Sequence, residues 1–571
     1  MYILGLSALS HDSTAALLGP QAIVAAIEEG KLARTRSFAG VPHTAIRFCM
    51  ERAGISWKDV EQVAVAMQPG RAWVRESLDR IKRAPRAPVS SVYHWNKAFN
   101  ALGHKLSDFR VLRRMAGGAS SRVMGLDHQL CHAASAFYAS PFDQALIATL
   151  DEQGDGRTGL VALGQGQSIR EIKSVSYPHS LARVFTQVTK LLGFRPHSEE
   201  HKTQWLSLAG QPVFSDVFVA MLRRSPGGEP HLNGKFFRND FAGDLDFGAE
   251  FYRRLGILES HEPHLDVKTR ANIAASLQKA CSSVVSEWLE SLRRQTGASS
   301  LCLAGGLFLN ALLVTAVESQ TGFQNIFVQP AAGNEGTSLG AAWLAWHQTP
   351  GRPRLAPMSN QFWGPAYSND EIKQVLDNCK ANYAWCDSED RKIHEAVKLL
   401  QAGKIVAWFQ GAAEFGPRAL GNRSLLASPT APYVNENLND YVKHRESFRP
   451  FALAIPKEDC DAYFECSANA RFMTTMARAK SKARELFHSS ASGFITPEGL
   501  VRLQVVASED NPLFWKLLKR MGEKAAAPIL VNTSFNLFGE PLVITPRDAV
   551  RSFYCSGTDA LVAGNFLLAK R

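Results

Sequence analysis

The sequence predicts an α/β protein of two domains, and three observations predict it. Short apolar runs alternate with segments of helical periodicity along the chain. At 571 residues the chain exceeds what one hydrophobic core usually serves, roughly 250–300 residues. Thr349–Met358 carries Pro350, Pro353 and Pro357 and reads as a linker between domains at 1–350 and 359–571.

The elements follow in order. Residues 2–9 and 22–27 read as strands around the polar turn Ser10–Thr14. Residues 43–54 and 57–63 suggest helices, and 145–151 a buried strand ending at Asp151. Gln153–Arg157 is a turn, with Gly154 and Gly156 supplying its freedom. Residues 271–294 have helical periodicity. Residues 301–306 read as a strand closing on Gly305 and Gly306, and 307–318 as a helix. Residues 326–328 form a further strand, and the loop 330–336 leads into a helix through His347. The second domain begins near Trp363. It holds a strand at 404–409, a strand and turn at 528–536, and an apolar run at 560–568.

Composition narrows the function classes. Forty-five per cent apolar and 20% charged residues are ordinary for a globular protein. No apolar run reaches the ~20 residues of a membrane helix. The first ten residues lack a basic region and a cleavage site, so a cytoplasmic protein without membrane association is expected. Nine scattered cysteines without Cys-x-x-Cys spacing argue against a disulfide framework or a structural zinc. Net charge is +11, concentrated in residues 71–123, where twelve Lys/Arg stand against three acids and Trp73, Tyr93, Trp95 and Phe99 are interleaved. Such a segment suits a nucleic acid, a membrane surface or an acidic ligand. It suits better an exposed helical insertion kept soluble by charge, since no RNA-binding or helix-turn-helix motif accompanies it.

The most informative stretch is Phe415–Ser424 with Lys443–Phe451. Arg418, Arg423, Ser424, Lys443, Arg445 and Arg449 fall within it, with glycines at 416 and 421. Guanidinium forks match phosphate and carboxylate oxygens, and glycine lets the backbone approach the same anion. Pro417, Phe448, Pro450 and Phe451 brace these groups against free solvation, which indicates a pocket for a compact anion. Asn532-Thr-Ser534-Phe-Asn536 adds hydroxyl and amide groups at a strand end.

In the first domain three polar turns close apolar strands: Ser10–Thr14, Asp151–Gly156 and Ala304–Gly306. Strand–turn units of this kind cradle phosphates and a metal. Asn310 lies one turn into the helix that follows the third; it reads equally as a surface residue. His128 and His132 are four apart, which on a helix puts both imidazoles on one face. Asp151 supplies a third ligand, and two His with a carboxylate suit iron, manganese or zinc. His11, beside Asp12, is a candidate base for a hydroxyl nucleophile.

In this order the elements resemble the NodU/CmcH family of O-carbamoyltransferases. The resemblance runs from His11-Asp-Ser-Thr-Ala15 through His128-x-x-x-His132 and Gly305-Gly-x-x-x-Asn310. It continues through Gly416-Pro-Arg-Ala-Leu-Gly-Asn-Arg-Ser424 and Lys443-x-Arg-Glu-x-Phe-Arg-Pro-Phe451 to Asn532-Thr-Ser-Phe-Asn536. It implies an actin-like ATPase (TsaD-like) transfer domain joined to a YrdC-like α/β activating domain. It implies that carbamoyl phosphate and ATP give carbamoyl adenylate, whose carbamoyl group passes to a hydroxyl of a small natural product. By the same resemblance Arg418, Arg423, Ser424, Lys443, Arg445, Arg449, Arg502, Asn532 and Ser534 hold carbamoyl phosphate and ATP. His128, His132 and Asp151 ligate a divalent metal, with iron(II) expected and magnesium or manganese the alternatives. Gly154, Gly156, Gly305, Gly306, Asn310 and Asn334 line the nucleotide in the transfer domain, His11 with Asp12 serves the acceptor hydroxyl, and Asp240 contacts the acceptor. Family members carry Asp where this chain has Asn334. Thr496-Pro-Glu-Gly and Ser428-Pro-Thr430 also depart from the usual pattern. The alternative reading is an enzyme of transfer-RNA threonylcarbamoyladenosine synthesis, built from the same two domain types; the basic segment 71–123 is its support.

Overall fold

A computed structural model describes residues 2–8, 12–83, 88–117, 122–225, 228–238, 245–259, 265–487 and 493–570. His11 and Asp240 lie outside the described residues. The chain divides into two compact units, Met1–Val24 with Ala39–Met358, and Ala25–Phe38 with Ser359–Arg571. Residues 25–38 thus group with the second unit.

The first unit is built on two five-stranded sheets. One has the order β3-β2-β1-β4-β5, from β1 (Tyr2–Ser7), β2 (Thr14–Leu18), β3 (Ile23–Glu28), β4 (Val60–Val65) and β5 (Val123–Gly125). The other has the order β12-β11-β6-β7-β8. Its strands are β6 (Gln144–Gly154), β7 (Arg157–Gln165), β8 (Ser168–Ser176), β11 (Ser300–Ala304) and β12 (Asn325–Val328). A two-stranded ribbon, β9 (Leu222–Arg224) with β10 (Pro230–Leu232), stands apart.

The two larger sheets repeat one topology. In each, the first strand pairs antiparallel with the second and parallel with the fourth, and the fourth pairs parallel with the fifth. No repeat is visible in the sequence, because apolar burial fixes the pattern of side chains and not their identity. β1, β2 and β11 are continuous apolar runs because both of their faces are buried.

Two expectations are corrected. Residues 57–63, read as a helix, lead into β4; Val60, Val63 and Val65 are β-branched and pair beside β1. Thr14, read as the end of a turn, opens β2, an Ala/Leu strand whose composition hides it. β6 also runs on past Asp151 to Gly154. The basic segment forms helices Pro69–Arg83 and Pro88–Met115, inserted between β4 and β5. Residues 349–358 carry no helix or strand beyond the helix end. They are nevertheless pinned, since the Arg354 guanidinium donates to the carbonyls of Phe137, Ser140, Phe142 and Gly166.

The second unit is a ten-stranded mixed sheet of order β13-β22-β21-β14-β15-β20-β16-β19-β18-β17. Its strands are β13 (Ala384–Trp385), β14 (Val406–Phe409), β15 (Arg423–Ala427), β16 (Ala452–Pro456), β17 (Phe464–Glu465), β18 (Met476–Ala479), β19 (Leu500–Val506), β20 (Leu530–Ser534), β21 (Ala560–Ala563) and β22 (Phe566–Ala569). Alternate residues feed two cores. Phe409, Leu425, Leu453 and Val531 enter one; Trp408, Leu426, Ala454 and Leu530 enter the other with helices Glu389–Gln401 and Pro512–Lys524. Antiparallel pairing of β15 with β20 sets Ser424 opposite Ser534.

Candidate functional site

The first cluster sits on helix His128–Phe137, whose start is capped by Asp127 accepting from Leu130 N at 3.1 Å. Helical spacing turns His128 and His132 the same way, with ring centroids 4.8 Å apart. Asp151, on β6, meets both: its Oδ2 is 3.2 Å from His128 Nε2 and 3.5 Å from His132 Nε2. All three are buried, and one ligand atom from each lies within 4.8 Å of the others. The Ala66 carbonyl at 3.2 Å from His128 Nδ1 favours the tautomer that points the Nε2 lone pair inward.

Electrostatics prepares the same set. Burial disfavours the Asp151 carboxylate, but hydrogen bonds and charge from both histidines win and hold its carboxyl well below the usual range. Burial pushes the His132 imidazole down, so it is neutral. Burial also opposes the His128 cation, yet Asp151 reverses the balance and raises it. His132 Nε2 faces Asp151 Oδ2 at 3.5 Å, while its Nδ1 is buried without a hydrogen-bond partner among the described residues, which costs roughly 1–3 kcal/mol. An anionic oxygen, a neutral imidazole and an orphaned nitrogen fit a divalent cation.

The polar turns converge here in part. Asp151 Oδ1 accepts from Gly306 N at 3.1 Å, which ties the turn after β11 to the cluster. Gly305 has φ +98°, and a Cβ there would lie 2.2 Å from the Leu150 carbonyl. At Gly154 a Cβ would lie 2.0 Å from His128 Cδ2. Gly154→Ala is therefore expected to displace the imidazole, lowering stability by about 1–3 kcal/mol. Thermal melts and metal stoichiometry after loading check this. Gly156, φ +76°, turns the β6–β7 hairpin. Asn334 is buried and opens the single turn 334–336, which packs on helix His128–Phe137.

Asn310 does something else. Its Oδ1 caps the helix Ala311–Gln320 by accepting from Leu313 N, and its Nδ2 donates to Gln278 Oε1 at 2.8 Å. Both ends of the amide are spent inside the fold. Asp12 has φ +62°.

The second cluster lies in the second unit. Glu414, fully buried, gathers the backbone N–H groups of Leu420, Asn422 and Arg423 on one oxygen, at 2.8–3.1 Å, and so shapes the loop that carries Arg418. Lys443 Nζ donates to Asn536 Oδ1 at 2.8 Å and to the Ser534 carbonyl. Arg445 stacks over Phe451 at 4.1 Å and donates to Asn439 Oδ1. Ser534 Oγ donates to Asn536 Oδ1 at 2.8 Å, and Asn532 Nδ2 to Gln504 Oε1 at 2.6 Å. Ser424 Oγ accepts from Gly421 N and is buried.

These cations crowd one another. Burial, then Arg445, Arg449 and Arg36, push the Lys443 ammonium well below its usual range. Burial, then Arg418, Arg445 and Arg449, do the same to Arg502. Arginine does not give up its proton in a protein. The repulsion is therefore held in the fold, beside an ion pair of Arg449 with Glu446 at 3.8 Å. An incoming anion relieves it.

Arg423 stands outside this group. Its guanidinium is wholly buried, stacks on Phe409 at 3.8 Å, and donates to the carbonyls of Pro365, Gln410, Gly411 and Asn422 at 2.5–3.1 Å. It fastens the loop and is not placed to meet a ligand. Sequence reasoning missed three residues of the segment 25–38. Lys31 donates to the carbonyls of Glu414 and Gly416, both at 2.8 Å, and Glu28 accepts from Gly416 N at 2.7 Å. Arg36 adds to the field on Lys443. The signal was faint: an Arg-rich run at 34–36 that no motif claimed.

A polycationic cluster thus lies on the mixed sheet of the second unit, and a His–His–Asp set on the duplicated α/β unit. Residues 2–343 match the family model described as Carbamoyltransferase N-terminus and residues 397–570 that described as Carbamoyltransferase C-terminus. The chain belongs to the carbamoyltransferase family, enzymes that transfer carbamoyl groups. It is 33% identical to uncharacterized protein sll1178 of Synechocystis sp., over all of this chain and 97% of that protein. It is 31% identical to nodulation protein NolNO of Sinorhizobium fredii, over 98% of this chain and 79% of that one. It is 30% identical to 3'-hydroxymethylcephem-O-carbamoyltransferase of Amycolatopsis lactamdurans, over 47% of this chain and 48% of that one. The resemblance drawn from the motifs is thereby shown. Among the described residues, no helix is long and apolar enough to cross a membrane.

Proposed function

We propose that the protein is an ATP-dependent O-carbamoyltransferase acting on a hydroxyl of a small natural product. The observation that carries this reading is the crowded cation set Arg418, Lys443, Arg445, Arg449 and Arg502, with Arg36. Carbamoyl phosphate and ATP together bring the charge such a set needs. Water cleaves the P–O bond of carbamoyl phosphate to give phosphate and carbamate, and a carbamate oxygen attacks the α-phosphorus of ATP and expels pyrophosphate. The acceptor hydroxyl then attacks the carbamoyl carbon of the adenylate and AMP departs. Two relatives support an O-linked product, one named for nodulation and one for carbamoylation of a hydroxymethylcephem.

The duplicated sheet topology of the first unit supports an actin-like ATPase fold there, and the mixed sheet of the second a YrdC-like one. In the first unit Gly154, Gly156, Gly305, Gly306 and Asn334 line the nucleotide, with Asn310 holding the helix behind them. His11 with Asp12 takes the acceptor proton. His128, His132 and Asp151 hold a divalent metal, iron(II) in this reading, which when bound supplies positive charge to phosphate or carbonyl oxygens.

The test is incubation of the purified protein with ATP and carbamoyl phosphate, followed by mass spectrometry. AMP, pyrophosphate and carbamoyl adenylate are expected, lost in Arg449→Ala and not restored by threonine with bicarbonate. ATP left intact, with and without hydroxylated acceptors, overturns the reading.

A further inference from the structure

The second unit holds two thiols in contact that the reaction proposed above does not use. Cys460 lies on the helix Lys457–Tyr463, and Cys466 directly follows β17; their sulfurs are 3.3 Å apart. That is about 1.3 Å more than a disulfide bond spans, a gap within reach of small side-chain rotations. The backbone between them is held at both ends. The Cys460 carbonyl accepts from Phe464 N where the helix stops. Lys480 N donates to the Tyr463 carbonyl at 2.9 Å, and β17 pairs antiparallel with β18, Phe464 opposite Ala479 and Glu465 opposite Arg478. The thiols therefore meet with no further segment to be ordered, the condition for fast intramolecular reaction.

Their surroundings set these two cysteines apart from the others. Cys49, Cys131, Cys281, Cys302 and Cys386 are buried, and burial pushes each thiol up, which leaves it inert. Cys460 is 3% exposed, whereas Cys466 is half-buried. The hydrogen bond with Cys466, and then burial, push the Cys460 thiol up, so it keeps its proton and offers it to the Cys466 sulfur. Cys466, the sulfur nearer solvent, is the one an oxidant meets first, and Cys460 stands behind it in contact.

We propose that Cys460 and Cys466 form a redox-active dithiol that hydrogen peroxide closes to an intramolecular disulfide, stapling β17 to the helix before it. Cys466, as its thiolate, attacks one peroxide oxygen; the O–O bond breaks, a sulfenic acid forms, and the released hydroxide takes a proton and leaves as water. The Cys460 sulfur then attacks the Cys466 sulfur, its proton goes to the departing hydroxyl, and a second water leaves. The two thiols lose two electrons and the peroxide gains them. β17 is the last strand in the order of the sheet, and its partner β18 sets Met476 opposite Arg502 of β19. The staple thus braces a sheet edge two strands from an arginine of the cation cluster.

The full-length reduced protein is treated with hydrogen peroxide while folded, its remaining thiols are alkylated with iodoacetamide, and its tryptic peptides are mapped by mass spectrometry without reduction. Lys457 and Arg471 bound a peptide, 458–471, that carries both cysteines. It is expected unalkylated and lighter by a pair of hydrogens, and alkylated at both sulfurs once dithiothreitol precedes the iodoacetamide. Two variants separate the roles. Cys460→Ser should stop at a Cys466 sulfenic acid that dimedone captures. Cys466→Ser should leave Cys460 an unoxidised thiol at the same peroxide dose. Both sulfurs alkylated after peroxide, a disulfide that forms only after denaturation, a bond to some other cysteine instead, or oxidation of Cys460 without Cys466 overturns the proposal. The wild-type result decides the matter even where a variant fails to fold.

Discussion

Lys443→Met will abolish AMP formation from ATP and carbamoyl phosphate, by roughly 10²–10³-fold or more, the usual cost of removing one electrostatic donor from a reacting phosphate. The methionine keeps the length of the side chain and its apolar stem, so the buried packing survives. What is lost is the cation between the Ser534 carbonyl, Asn536 and the guanidinium groups. The same substitution has a second signature. Burial and three arginines depress the Lys443 ammonium in the free protein. A phosphate anion favours the charged form, so binding raises its pKa and draws a proton from solution. ATP affinity should therefore fall as pH rises between the free and bound values. Calorimetry in buffers of different ionisation enthalpy should show proton uptake by the wild type and less by the variant. An unchanged rate of AMP formation, or equal uptake in both proteins, would remove Lys443 from the activating role.

His132→Ala will remove the metal and carbamoyl transfer while leaving AMP and pyrophosphate release from carbamoyl phosphate and ATP intact. Three ligands fall to two, and transfer is expected to drop by roughly a thousandfold with loss of the metal's charge stabilisation. Metal analysis is the independent readout: about one ion per chain for the wild type after loading, and none for the variant. The apo protein should tolerate the change, since His132 Nδ1 is buried without a partner among the described residues and its removal relieves a penalty that offsets part of the lost packing. A variant that keeps its ion, or that loses AMP formation as well, would contradict the division of labour proposed here.

The parts of this molecule that were legible in sequence are those where one short segment holds the whole pattern. His128 and His132 need only a helix, and Asp151 only the strand that carries it, so their meeting was readable from spacing. The arginine run was readable as a braced cation cluster because Phe448 to Phe451 stand beside it, and Arg445 does stack over Phe451. Partnership at long range was not. Nothing in the spacing says that Arg423 turns to four carbonyls, because the acceptors are backbone atoms of Pro365 and the 410–422 loop. Asn310 was taken for a ligand contact and is a helix cap, a role that Asn fills wherever a helix begins after a turn. β2 and β4 escaped because five or six residues of Ala, Leu, Val, Glu and Gln suit either secondary structure until a neighbouring strand decides.

Residues 25–38 bear on how the protein can be divided. Glu28 and Lys31 grip the backbone of 414–416 at the root of the Arg418 loop, and Arg34 reaches Glu540 and the carbonyls of Pro541 and Leu542. The second unit therefore completes itself only with a piece of chain that precedes most of the first. Cutting at residue 358 would yield a carboxy-terminal fragment missing its own amino-terminal clasp, with the backbone of Glu414 and Gly416 and the Glu540 carboxylate losing their contacts to Lys31, Glu28 and Arg34. The second unit is a discontinuous module, and its folding must wait for, or reach back to, an early part of the chain.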